Sequence, residues 1–313
     1  MNKSSENSFI VTQEYRRFTE FCDACRRYRY IGLCYGPPGV GKTLSARRYS
    51  QWDQVEAYAS FQTSAPVIDE VLGSDTVFYT PNVLNGPGHI LRDMDRLRRR
   101  LLHIAWGALY CEEESRIIEA RHRHDEYWDS YMVEAKWLSL PPGSSIPEPE
   151  PSLYEIRKEY SAKRDAMVDP TRLLLIDEAD RLKMASLEQM RAIFDQGSLG
   201  LVLLGMPGLE KRLARYPQLY SRVGFVHEFR PLCVAEVRLL LERHWQPPEV
   251  RQALNGITDE EVIVTIVRIT GGNFRLLHRL LTQVARIMEI NAATTVTRQV
   301  VEAARESLVI GSA

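Results

Sequence analysis

Eight consecutive residues carry the clearest chemistry in this chain: Gly36-Pro37-Pro38-Gly39-Val40-Gly41-Lys42-Thr43. They match G-x-x-x-x-G-K-[ST] in full. Glycines let the backbone curl so that successive N–H groups face a phosphate chain. The positive end of a following helix adds to the anion site. Lys42 is expected at the β- and γ-phosphates, and the Thr43 hydroxyl at Mg²⁺. With Leu44, the nucleotide-contacting stretch runs from Gly36 to Leu44. A glycine-rich turn without a ligand is the competing reading, and the strand–loop–helix context opposes it.

A second pair of residues belongs to the same chemistry. Asp177-Glu178 ends the apolar run Leu173-Leu174-Leu175-Ile176, as a Walker B pair requires. Asp177 is expected to hold Mg²⁺ through water, and Glu178 to polarise the attacking water. Alone, two acids after an apolar strand mean little. Downstream of a full P-loop they assign the reaction: Mg²⁺-dependent hydrolysis of ATP.

These residues need an α/β scaffold. Tyr30 to Tyr35 is a short apolar run ahead of the glycine loop, and a helical segment follows from Lys42 to about Trp52. Thr76 to Thr80 reads as a second strand, stopped by Pro81. Arg172–Ile176 and Leu201–Leu204 read as strands buried on both faces, as in parallel sheets. Gly224 to Phe229 is a fifth candidate, and Thr12 to Arg27 has helical periodicity.

Between Ile90 and Ser161 the pattern changes. Leu91, Met94, Leu97, Leu101, Ile104 and Ala108 predict one amphipathic helix, and Glu112 to Trp137 a second. The proline-rich, acidic stretch 141–151 reads as a stiff linker. After Pro231 the chain reads as all helix. Thr258 and Glu261 suggest a capping box, Gly271-Gly272 a helix end, and Asn273 the next cap.

Together these features resemble the AAA+ ATPase superfamily. The stretch Leu173 to Leu182 looks like the Walker B region of the TniB, TnsC, IstB and MuB transposition regulators. So do Gly205-Met206-Pro207-Gly208-Leu209-Glu210-Lys211-Arg212-Leu213 and the segment from Tyr216 to Gly224. The resemblance covers residues 12–81 and 170–308. It implies a three-layer α/β P-loop domain with a parallel sheet, a helical insertion and a C-terminal helical lid. The expected layout is a flexible tail at 1–11, an ATPase core at 12–230 with an insertion at about 90–165, and a lid at 231–313.

The resemblance also implies an ATP-dependent homo-oligomer, as a ring or a filament, on duplex DNA. It would pass its target to a transposase alongside a target-selection protein. Arg222 matches the arginine finger, which reaches the γ-phosphate held by a neighbouring subunit. Arg275, in Gly272-Asn273-Phe274-Arg275, matches the sensor-2 arginine of the lid. Surface arginines are the competing reading for both. Met206 stands where the family usually has a polar sensor-1 residue, which points to slow hydrolysis or to another polar group.

Arg92, Arg96 and Arg99 share one face of the first inserted helix, backed by Arg98 and Arg100. In the resembling family, elements just after the second strand line a DNA pore, and an arginine stripe suits phosphate tracking. The competing reading is a solvated face paired with Asp93 and Asp95.

Composition bounds the rest. Across 313 residues, 40 Lys+Arg balance 41 Asp+Glu, for a net charge of −1. A general polycation that coats nucleic acid is excluded, though a local basic patch is not. No run approaches a membrane span, and the polar start has no apolar signal core. Five cysteines at irregular spacing suggest no disulfide framework, so the expected compartment is the cytoplasm. Cys22 and Cys25 read as packing, and His122 and His124 as solvated. An assembly or signalling ATPase, acting in secretion or defence through protein partners without DNA, is the runner-up function.

Overall fold

A computed structural model describes residues 9–58, 71, 73–133, 152–243, 259–293 and 295–308. The chain forms two compact units, one within Met1–Tyr49, Phe78–Ile90 and Arg172–Ala313, the other within Ser50–Val77 and Leu91–Thr171.

The first unit holds most of a five-stranded sheet ordered β2-β3-β4-β1-β5. The strands are β1 (Ile31–Tyr35), β2 (Thr76–Tyr79), β3 (Leu173–Ile176), β4 (Gly200–Gly205) and β5 (Val223–Glu228). The β1–β4, β1–β5 and β3–β4 ladders are parallel. The three central strands are buried along almost their whole length, which explains their unbroken apolar runs. Helix α1 (Gln13–Tyr28), capped by Thr12, lays Phe18, Phe21, Cys22 and Cys25 into the core. The approach is tight. A Cβ on Gly32 would stand 2.4 Å from the Cys25 sulfur, so β1 needs glycine there. Cys22 and Cys25 are free and buried, as packing requires.

Register places the chemistry. Tyr35 of β1 lies beside Gly205 of β4, and Ile176 of β3 beside Leu203. The glycine loop, Asp177 and Met206 therefore leave the sheet at the same carboxyl edge, the usual ligand edge of a parallel sheet. Helix α2 (Lys42–Tyr49) follows the loop, and α3 (Trp52–Tyr58) belongs to the second unit.

The helical end of the first unit has its own core. Helices α9 (Val234–Arg243), α10 (Glu260–Thr270), α11 (Phe274–Ile290) and α12 (Arg298–Glu306) enclose Val237, Ile263, Ile266, Leu280 and Val284. Asp259 caps α10 by accepting from the Glu261 N–H; Thr258, where the sequence suggests a capping box with Glu261, lies outside the described residues.

In the second unit the two helices expected between Ile90 and Trp137 are one. Helix α4 runs from Pro87 to Val133, 47 residues. Gly107 is the single weak helix former in its middle, and one glycine costs only about 1 kcal/mol. Met94, Leu97, Leu101 and Ile104 are buried, while Arg92, Arg96 and Arg99 are exposed. Helix α5 (Leu153–Asp165) follows, with a Ser152–Glu155 capping box. The linker expected at 141–151 lies outside the described residues. Helices α6 (Met184–Gln196), α7 (Leu209–Leu213) and α8 (Pro217–Tyr220), in the first unit, complete the element order.

Candidate nucleotide site

The phosphate loop is held open by backbone geometry. Gly39 and Gly41 have φ of 82° and 109°. A Cβ on Gly39 would stand 2.7 Å from Asn273 Oδ1 and 2.8 Å from the Arg275 Cβ. That position needs glycine both for its φ and for the lid residues pressed against it.

Lys42 is only 9% exposed. Its ammonium donates to the carbonyls of Gly36 at 2.6 Å and Pro37 at 2.8 Å. Burial pulls its pKa down from the usual lysine range. Nearby Asp177 and Asp180 oppose that shift, and Arg275 adds to it. Phosphate oxygens in the loop would offer this cation stronger, charge-assisted acceptors.

The Thr43 hydroxyl donates to Asp177 Oδ2 at 2.7 Å. The two expected metal ligands, 134 residues apart in sequence, are thus one hydrogen-bonded pair. Asp177 is 3% exposed, and its own N–H donates to the Tyr79 carbonyl at 2.8 Å. Burial raises its pKa, and the Thr43 hydrogen bond works against that rise. A hard cation bound there would relieve the buried charge.

Glu178 adopts φ 48° and ψ 43°, the left-handed region, at the start of a 3₁₀ turn spanning Ala179–Arg181. Strain of this kind clusters at functional sites. Its carboxylate is ion-paired with Arg181 of the same turn. Arg181 also donates from Nη1 to the Pro81 carbonyl beyond β2 at 3.3 Å.

The lid reaches the loop through α11. Asn273 caps that helix, its Oδ1 accepting from the N–H groups of Arg275 and Leu276. Its Nδ2 donates to the Pro38 carbonyl at 2.7 Å, and the Arg275 N–H donates to Gly39 O at 3.1 Å. The sequence marks Asn273 only as a cap, and its bond to the loop is the missed function. Met206 is exposed, and its N–H donates to Asp180 Oδ2 at 2.7 Å. Asp180 is therefore the polar side chain standing at the end of β4, where the sequence offers only Met206.

Arg222 is not with these groups. It immediately precedes β5, and its carbonyl accepts from Ile31 N–H at the start of β1. The P-loop leaves the other end of β1, about 17 Å of strand away. Arg92, Arg96 and Arg99 belong to the second unit. Arg96 pairs with Asp93 at 3.1 Å and Arg99 with Asp95 at 2.9 Å.

Comparison with known proteins supplies four findings. Residues 25–213 match the family described as AAA domain. The chain is 39% identical over 312 residues to a "potential ATP-binding protein" of Staphylococcus aureus, covering 98% of this chain and 99% of the relative. It is 31% identical over 114 residues to the Mu-like prophage FluMu DNA transposition protein B of Haemophilus influenzae, covering 34% of this chain and 36% of that protein. Among solved structures, the Thermotoga maritima RuvB Holliday junction branch migration motor superposes with a TM-score of 0.49. It is 17% identical, over 97% of this chain and 72% of that one.

Proposed function

The chain belongs to the AAA domain family of ATPases, and from that premise we propose that it hydrolyses ATP with Mg²⁺ to control its own assembly on duplex DNA. In this reading the assembly directs a transposase to its target, ATP favours the oligomer and hydrolysis dismantles it. The observation that carries the enzymatic part is the Thr43–Asp177 hydrogen bond beside the glycine loop, because it joins both expected metal ligands at the carboxyl edge of the sheet. The local similarity to a DNA transposition protein B supports the rest.

The residues fit magnesium and nucleotide. Bound Mg²⁺-ATP supplies the phosphoanhydride bond that water cleaves. Gly36 to Leu44 would cradle the phosphates, Lys42 would neutralise them, and Thr43 and Asp177 would hold the metal. Glu178 would take the proton of the attacking water once Arg181 releases it. Arg275 would contact the nucleotide from the lid. Arg222 faces away from its own P-loop edge, which suits action on a neighbour's nucleotide in a homo-oligomer. Arg92, Arg96 and Arg99 would track the DNA backbone.

A second reading has its own support. The net charge is −1, and Arg96 and Arg99 are engaged by acids of their own helix. An assembly ATPase acting on protein partners suits those facts. A gel-shift assay with nonspecific duplex separates the two. An ATP-analogue-dependent shift supports the DNA reading, and no shift at low salt supports the protein-partner reading. No helix among the described residues is long and apolar enough to cross a membrane.

A further inference from the structure

Just past the Asp177-Glu178 pair stand the carbonyls of Asp180, Arg181 and Leu182, and each accepts from a side chain outside their turn. Arg212, on α7, donates from Nη1 to the Asp180 carbonyl at 2.7 Å and from Nη2 to the Leu182 carbonyl. Asn85, in the loop between β2 and α4, donates from Nδ2 to the Arg181 carbonyl at 3.0 Å. Asn85 is itself buried and fixed. The same Nδ2 donates to the Asn82 carbonyl at 2.9 Å, and its Oδ1 accepts from the Ser186 hydroxyl of α6 at 2.8 Å. Two elements far apart in sequence thus bolt one short turn from two directions.

The residue that needs those bolts is the one ahead of them. Glu178 sits at φ 48° and ψ 43°. A residue with a Cβ is strained there, and such strain persists only where the surroundings over-determine it. The turn's own bonds, Arg181 N–H to Glu178 O and Leu182 N–H to Ala179 O, are the ordinary bonds of a 3₁₀ turn and select no left-handed residue before it. The bonds from Asn85 and Arg212 supply the selection. Relaxing Glu178 to a right-handed backbone would swing the turn relative to β3 and break all three.

We infer that Asn85 and Arg212 are positioning residues for Glu178. They hold the turn so that the carboxylate stays where it takes the proton of the attacking water. This rests on the reading of Glu178 as the base. The phosphate loop does not depend on either side chain, so their loss acts on turnover and spares ATP binding.

The test uses the full chain with Mg²⁺-ATP, single-turnover rates and ATP affinity by isothermal titration. Asn85→Ala and Arg212→Met, the latter keeping an aliphatic stem, are each expected to slow hydrolysis about 10–100-fold with ATP affinity within about twofold of the parent. Arg212→Lys, which restores donors, is expected to recover most of the rate. The decisive comparison is made in the Glu178→Gln background. There neither substitution should slow hydrolysis further, because groups that act through one residue are not additive. Parent-rate hydrolysis by either single variant overturns the role of that residue. Rate losses that multiply with that of Glu178→Gln, or that are matched by lost ATP affinity, overturn the inference, because the bonds would then support the fold in general. Urea melts report folding, and Arg212→Met, at a partly exposed side chain, decides the matter should Asn85→Ala not fold. Parent-rate hydrolysis by Glu178→Gln removes the base and this inference together.

Discussion

The Asp195 carboxylate grips the Arg222 guanidinium with both oxygens, at 2.6 Å from Nε and 2.9 Å from Nη2. The grip lowers the Asp195 pKa, chiefly through those hydrogen bonds. Arg191 donates to the same carboxylate at 2.8 Å and to Glu188 at 2.7 Å. A fork-to-fork pair fixes direction as well as distance. Arg222 is thus pre-aimed at the edge of the sheet opposite its own P-loop.

If Arg222 serves a neighbour's nucleotide, Arg222→Ala lowers kcat about 1000-fold and leaves the ATP affinity of the monomer near the parent value. Asp195→Asn has a smaller effect in the same direction, because the cation survives but loses its aim. Mixing Arg222→Ala with Lys42→Ala restores part of the activity. Steady-state hydrolysis at several mixing ratios reads this. No rescue with assembly intact would exclude a shared site.

Binding and turnover separate at two other residues. Lys42→Ala weakens ATP binding by about 10–100-fold, since the phosphates lose a charge-assisted partner. Glu178→Gln keeps ATP affinity and lowers kcat by about 10²–10⁴-fold. Arg181→Gln frees the Glu178 carboxylate and raises DNA-free turnover. Isothermal titration and single-turnover rates report these effects. Parent-rate hydrolysis by Glu178→Gln removes that residue as the base.

Asn273 does two jobs that two substitutions can separate. Asn273→Asp keeps an oxygen to cap α11 but cannot donate to the Pro38 carbonyl. Asn273→Ala loses both. Urea denaturation should show Asn273→Ala destabilised by about 1 kcal/mol and Asn273→Asp nearly unchanged. ATP affinity should fall severalfold in both. Unchanged ATP affinity in Asn273→Asp would mean that the bond to Pro38 does not couple lid to loop.

How much of this was legible in sequence follows from distance along the chain. The phosphate loop is eight consecutive residues, and apolar runs mark the strand ends, so both could be read directly. Asn273 bonds to Pro38 across 235 positions, and Asp195 pairs with Arg222 across 27. Neither partner is implied by spacing, so both stayed hidden until the sheet brought them together. The single α4 was missed for another reason. The change from an apolar stripe to a charged surface near Glu112 reads like a break, yet helices end at caps and prolines rather than at changes of polarity.

A buried pair ties α1 to β5 and sets a pH dependence. His227 Nε2 stands 2.9 Å from Glu14 Oε1, and His227 packs against Phe21. Burial first, then Arg17 and Arg230, lower the His227 pKa to about 4. Below an unfolded value near 6.5 the unfolded chain takes up the proton that folded His227 refuses. This contribution is present above pH 6.5 and is lost as the pH falls toward 4. Glu14, with its pKa raised by burial, opposes it by protonating earlier in the folded state. The comparison with His227→Phe isolates the histidine. Between pH 7 and pH 5 the parent should lose about 1–2 kcal/mol more stability than the variant. Equal losses in urea melts at the two pH values would mean that His227 is not held neutral.

The arginine stripe gives the last prediction, and its outcome depends on how tightly the neighbouring acids hold it. Arg96 and Arg99 are paired with Asp93 and Asp95 one turn away, but all four side chains are at least partly exposed. Exposed pairs of this kind contribute only about 0.3–0.5 kcal/mol. A DNA phosphate releases condensed counterions when a cation neutralises it, so it competes well for these arginines at low salt. Each contact adds about 0.9 to the log–log slope of affinity against salt. Replacing Arg92, Arg96 and Arg99 by Gln should weaken all duplex sequences alike and flatten that slope by roughly two to three units per subunit engaged. ATP affinity should hold, because no P-loop residue is changed. The complementary set, Asp93→Asn with Asp95→Asn, should strengthen duplex binding by freeing the arginines. Anisotropy titrations at several salt concentrations distinguish the outcomes. Unchanged slope in the arginine variant, together with unchanged affinity in the aspartate variant, would mean that the stripe is a solvated face and that DNA is held elsewhere.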